Sequence, residues 1–78
     1  MNYAKKNFKY LVQTNGSRNH FAEITTISIN TIKKILDDER INPSLDTLIK
    51  VHNTLEISLD DLVFKDLEEI NNNNKENN

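Results

Sequence analysis

The stretch SRNHFAEITTISINTIKKIL, from Ser17 to Leu36, decides the fold. Ser17 has the side chain of a helix N-cap, whose oxygen accepts from an N–H of the first turn, and Phe21, Ala22 and Ile24 behind it make one apolar side. Only about two turns fit before Thr25, Thr26 and Ile27 lead to Ser28, a second serine cap. A further helix then runs from about Ile29 to Asp37, with Ile32, Ile35 and Leu36 turned inward. Two short helices joined by a tight turn are predicted.

Outward from this pair the same grammar repeats. Upstream, Phe8, Leu11 and Val12 share one face of a predicted helix from about Ala4 to Gln13, with Lys5, Lys6 and Lys9 largely away from it. Asn15 and Gly16 stop that helix, since glycine supplies the left-handed conformation common just past a helix end. Downstream, the loop Asp38 to Asn42 ends at Pro43, which disfavours helix in the residue before it. Ser44 then caps a fourth helix with Asp46 in its first turn and Leu45, Leu48, Ile49, Val51 and Leu55 on its buried side. Ser58, with Asp61 three residues on, has the form of a capping box and opens a fifth helix carrying Leu59, Leu62, Val63, Phe64 and Leu67. The expected class is all-α: a compact bundle of five short helices forming one domain over residues 1–70, followed by a disordered Asn-rich tail over residues 71–78. No internal repeat is visible.

With 78 residues, one glycine, one proline and no cysteine, the chain has room for one small core and no disulfide or thiolate metal site. The apolar runs are far shorter than the ~20 residues of a spanning helix, and no signal-like segment follows Met1, so a cytoplasmic location and no membrane partner are expected. The net charge of −2 disfavours a nucleic-acid partner on its own. Its distribution does the opposite. Up to Leu36, Lys5, Lys6, Lys9, Arg18, Lys33 and Lys34 face Glu23 alone, a net of +5, whereas the remainder carries −7. Such asymmetry suits a chain with one half turned to a polyanion.

From Ser17 to Val63 the sequence resembles the Cro and phage-repressor (XRE-type) helix-turn-helix family. That family's pattern reads roughly s-q-e-e-L-A-e-k-l-g-v-s-x-x-t-i, then P-s-l-e-t-L, then k-l-A-x-a-L-g-v-s-l-d-e-L. The closer half of the match is Asn42-Pro-Ser-Leu-Asp-Thr-Leu-Ile-Lys-Val-His-Asn-Thr-Leu-Glu-Ile-Ser-Leu-Asp-Asp-Leu62. With the first helix included, the likeness covers about Phe8 to Phe64.

The resemblance implies a lambda-repressor-like fold and a sequence-specific regulator of transcription, a repressor by expectation, from a bacterium or a phage-like element. Its third helix would lie in the major groove of double-stranded DNA, where every base pair displays a distinct donor and acceptor pattern. Ile29, Asn30, Lys33 and Lys34 fall where the family's base-reading side chains lie. Asn30 suits adenine, Lys34 suits guanine, and Ile29 suits a thymine methyl. Ser17, Arg18, Ser28, Thr31 and Arg40 fall where phosphate is gripped. A homodimer is implied as well, and Phe64, Leu67 and Ile70 are the expected contact, because five apolar residues on a last helix exceed what one small bundle must cover.

The sequence departs from the family's pattern at four places. Thr26 stands for the turn glycine, Glu56 for the glycine ending the fourth helix, and His52 for a small alanine. After the third helix comes Leu36-Asp37-Asp38-Glu39, acidic and one residue longer before Pro43. Two like charges 4 Å apart repel by ~1 kcal/mol in water, so these acids oppose close approach of a phosphate strand, with Arg40 offsetting only part. That loop motivates the alternative: a helix-turn-helix domain repurposed for protein binding through an acidic surface, such as a phage-encoded inhibitor or an accessory domain. RNA binding lacks an evident aromatic platform. No Gly-rich phosphate loop, metal-binding helix motif or nucleophile elbow is present, and His52 has only the distant His20 as a companion, so neither an enzyme nor a metal or cofactor is expected.

Overall fold

The computed structural model describes the backbone of residues 2–76 and the side chains of residues 2–72. Every regular element among them is a helix: α1 (Ala4–Thr14), α2 (Arg18–Thr25), α3 (Ile29–Asp37), α4 (Leu45–Leu55), α5 (Leu59–Phe64) and α6 (Leu67–Glu76). Four of them begin as their sequences dictate. Ser17, Ser28, Ser44 and Ser58 each accept, through Oγ, the backbone N–H three residues on, from His20, Thr31, Thr47 and Asp61, at 3.0 to 3.2 Å. Each cap contributes about 1 kcal/mol.

α1 buries Ala4, Asn7, Phe8, Leu11 and Val12, spacings of three and four that form one stripe. Phe8 meets Phe21 edge to face, with ring centroids 5.6 Å apart. Around this pair close Ile27, Ile32, Ile35, Val51 and Leu62. α1 packs against α2, α5 and α6, while α4 packs against α2 and α5. α3 packs chiefly on α2, sets Ile32 and Ile35 in the common core and exposes its opposite face.

The described residues form six helices where five were expected. The apolar stripe that suggests one helix from Leu59 through Leu67 is cut at Lys65, which is extended at φ −114° and ψ 144°. Asp66 then starts a new helix, its carboxylate accepting from Glu69 N–H at 3.2 Å. Asp66 and Glu69 have the spacing of a capping box, a local signal hidden within the longer apolar pattern. Helical backbone also continues through Glu76, so residues 71–76 of the expected disordered tail are helical, and Asn77 and Asn78 lie outside the described residues. Asn71 Nδ2 donates to the Tyr10 hydroxyl at 2.9 Å, tying that turn to α1.

Leu45 differs too. It was expected inside and is 65 % exposed. The inward place in the first turn of α4 belongs to buried Thr47, whose hydroxyl accepts from Ser44 Oγ at 3.0 Å.

Candidate nucleic-acid interface

The turn between α2 and α3 is built around Thr25. Its hydroxyl donates to the Phe21 carbonyl at 2.6 Å and accepts from Ile27 N–H at 3.3 Å, all buried. Thr26 then takes the left-handed conformation, φ 62° and ψ 14°, and Ile27 is driven into the core. Glu56, at the end of α4, does the same at φ 58°. Both positions where a glycine was missed therefore carry positive φ on an ordinary side chain, a strain that the surrounding packing sustains.

This turn fixes which face of α3 looks outward. At about 100° per residue, Ile29, Lys33, Asp37, Asn30 and Lys34 fall in that order on one arc of about 140°, opposite Ile32 and Ile35. Asn30, Lys33, Lys34 and Asp37 are exposed, whereas Ile29 is half-buried. The four expected base-reading residues thus share one face.

The residues expected to grip phosphate are already engaged within the chain. Ser17 and Ser28 cap their helices, and Thr31 accepts a hydrogen bond from Ser28 Oγ at 2.9 Å. Arg18 reaches across to α3 and holds Asp37 with both guanidinium nitrogens, at 3.0 and 3.3 Å. Arg40 folds back on Asp38 at 3.1 Å. The Arg40 side chain, and after it the Arg40 backbone N–H, holds the Asp38 carboxyl below the ordinary carboxylate range.

Two lysines of α1, not singled out by sequence reasoning, complete this arrangement. Lys9 pairs with Glu39 at 3.2 Å. Lys5 Nζ donates to the carbonyls of Asp38 and Ile41 and so fastens the loop to α1. Each of these three acids is therefore paired, Asp37 with Arg18, Asp38 with Arg40 and Glu39 with Lys9. Lys6 is likewise paired with Asp66, and Lys65 with Asp61. Among the described side chains, the cations without an ion pair or hydrogen-bond acceptor are Lys33, Lys34 and Lys50. Two of these three lie on the outer face of α3.

Of the expected dimer residues, Phe64 is 69 % exposed and Ile70 is 41 % exposed, whereas Leu67 packs on the core. Tyr3 joins them from α1: its N–H donates to the Val63 carbonyl at 2.7 Å, and its side chain is 41 % exposed. His52 is half-buried with Nδ1 2.7 Å from the Ile57 carbonyl, so that nitrogen carries the proton and donates. No helix of the described residues is long and apolar enough to cross a membrane. Compared with models of known families, with curated proteins and with solved structures, the chain matches none.

Proposed function

We propose that the chain is a sequence-specific DNA-binding regulator of transcription, a repressor of the helix-turn-helix type. α3 enters the major groove. Asn30 pairs with adenine through its amide, Lys34 donates to guanine, Lys33 meets a base edge or a flanking phosphate, and half-buried Ile29 limits how deeply the helix start can sit. The observation that carries this reading is the outer face of α3, where Asn30 stands beside two lysines that no carboxylate has claimed. The pairing of Asp38 with Arg40 supports it further, because that part of the negative charge opposing a phosphate strand is compensated at 3.1 Å.

The protein acts as a homodimer in this reading, joined through Phe64 and Ile70 with Tyr3 beside them. A two-fold pair sets two reading helices about 34 Å apart on successive major grooves.

Titration against genomic DNA fragments at several salt concentrations tests the proposal. Affinity falls steeply with salt, and Asn30→Ala or Lys34→Ala each costs about 1 to 3 kcal/mol and relaxes selection at one base pair. Absence of any shift at low salt removes it. Capture of a protein partner that is lost on charge reversal of Asp37 and Asp38 would favour the protein-binding alternative instead.

A further inference from the structure

An open groove of about 400 Å³ lies beside the reading helix, between the end of α1, the start of α2 and the end of α3. Lys9 and Arg18 stand on its wall, with Val12 and Leu36 as apolar lining. Both cations hold carboxylates from the end of α3 and the segment after it: Asp37, the last residue of the helix, and Glu39, two positions on. A carboxylate held by a guanidinium fork presents the same pair of oxygens that a phosphate would. The two pairs are also open to water, the side chains of Asp37 and Glu39 being 60 % and 86 % exposed. Exposed pairs of this kind are weak and exchange readily.

We infer that this acidic segment is an internal competitor for the DNA backbone, and that binding exchanges Asp37 and Glu39 for phosphates on Arg18 and Lys9. The inference rests on the DNA-binding reading and adds a regulatory device to it. Each cation handed from carboxylate to phosphate makes an attraction that salt weakens, but it leaves an unpaired carboxylate beside the DNA, a repulsion that salt weakens equally. The exchange therefore adds little to the salt dependence. Lys33 and Lys34, which have no such partner, supply most of it. The protein binds DNA less tightly, and with a shallower salt slope, than its cations beside the groove would allow. Neutralising the segment releases that grip.

The test compares four proteins on one genomic DNA fragment that the wild type shifts, between 50 and 200 mM salt. They are wild type, Asp37→Asn with Glu39→Gln, the same pair with Arg18→Ala, and a control, Asp60→Asn with Glu69→Gln, that removes equal charge elsewhere. With no carboxylate to displace, the loop variant makes the same two phosphate contacts without two negative charges left beside them. Its loss of affinity across this fourfold salt range should then exceed that of the wild type by about tenfold. Adding Arg18→Ala should return about half of that slope, while the control keeps the wild-type slope. Equal slopes for the loop variant, the control and the wild type overturn the inference and leave the DNA reading standing. If no protein shifts any fragment even at 50 mM salt, the DNA reading falls and the inference falls with it.

Discussion

Asn7 offers the sharpest test of how the fold is held. It is fully buried on α1, and its amide nitrogen donates to the carbonyls of Leu62 and Lys65, both at 2.7 Å. Its oxygen accepts from Leu67 N–H at 3.1 Å. One side chain thus satisfies two carbonyls at the end of α5 and a donor at the start of α6, where the chain breaks between helices. Asn7→Asp keeps the volume and removes both donors, leaving a carboxylate against two carbonyl oxygens. The lost partner of the buried Leu62 carbonyl costs about 2 kcal/mol, and the half-exposed Lys65 carbonyl, which recruits water, about half as much. Burial of the charge adds to this, so the total is at least ~3 kcal/mol at pH 7. A domain of 78 residues has a total stability of about 4 to 12 kcal/mol. The midpoint in urea should fall by about 2 to 3 M and the melting temperature by roughly 12 to 24 °C. The sign with pH is fixed as well. Burial and the carbonyls raise the pKa of the new carboxyl, so its penalty is full above that pKa and shrinks on acidification, when the protonated acid regains one donor. The deficit relative to wild type is therefore smaller at pH 4 than at pH 7. A cost below ~1 kcal/mol at pH 7, or one equal at both pH values, would refute the assignment of Asn7 as the junction between α1, α5 and α6.

Thr26→Gly and Glu56→Gly should each raise stability by about 0.5 to 1 kcal/mol, because a left-handed ordinary residue costs ~1 to 2 kcal/mol and glycine's extra unfolded freedom returns only part of it. A lower melting temperature for either variant would show that its side chain makes a compensating contact. Asp66 is held below the ordinary carboxylate range chiefly by its hydrogen bond to Lys6, as Asp38 is by Arg40, so both contribute stability that is present above about pH 4 and lost as pH falls through their lowered values. Urea melts from pH 7 to pH 2 should lose less below pH 4 for Asp38→Asn with Asp66→Asn than for wild type, and parallel curves would remove these groups from the acid transition. Phe64→Glu should make the proposed homodimer monomeric in sedimentation equilibrium while the monomer keeps its helical circular dichroism, since Phe64 is 69 % exposed. A wild type that is monomeric at every concentration would remove the dimer.

The features legible in the sequence are the local ones. A serine cap and its partner are three residues apart, a positive-φ glycine follows its own helix, and the outer face of α3 follows from angular spacing, so Ser17, Gly16 and the arc from Ile29 to Lys34 are all where periodicity puts them. What escaped is long-range. Asn7 sits within Lys5-Lys6-Asn7-Phe8-Lys9, which reads as a wet face, and its partners lie 55 to 60 residues away. The Arg18 and Lys9 pairs span 19 and 30 residues, and nothing local announces them. The Asp66 cap was local yet hidden, because an apolar stripe continues across it and periodicity carries no information about a one-residue interruption.

Those long-range pairs change what the charge asymmetry means. Of the six cations before Asp37, Lys5, Lys6, Lys9 and Arg18 are committed to the second half of the chain: its acids hold Lys6, Lys9 and Arg18, and loop carbonyls hold Lys5. Much of the imbalance thus joins the two halves, leaving Lys33 and Lys34 as the members of that group with no partner within the described side chains. Two lysines and one amide supply about 1 to 3 kcal/mol each at best, whereas specific recognition must exceed non-specific binding by about 4 to 10 kcal/mol. One protomer reaches that range only with every contact well made. A two-fold pair doubles the contacts without adding a cation to the chain, and exposed Phe64 and Ile70 offer the face on which to form it. On the proposed DNA-binding reading, the scarcity of free positive charge on α3 and the exposure of Phe64 and Ile70 therefore argue for the same arrangement, a two-fold pair of readers.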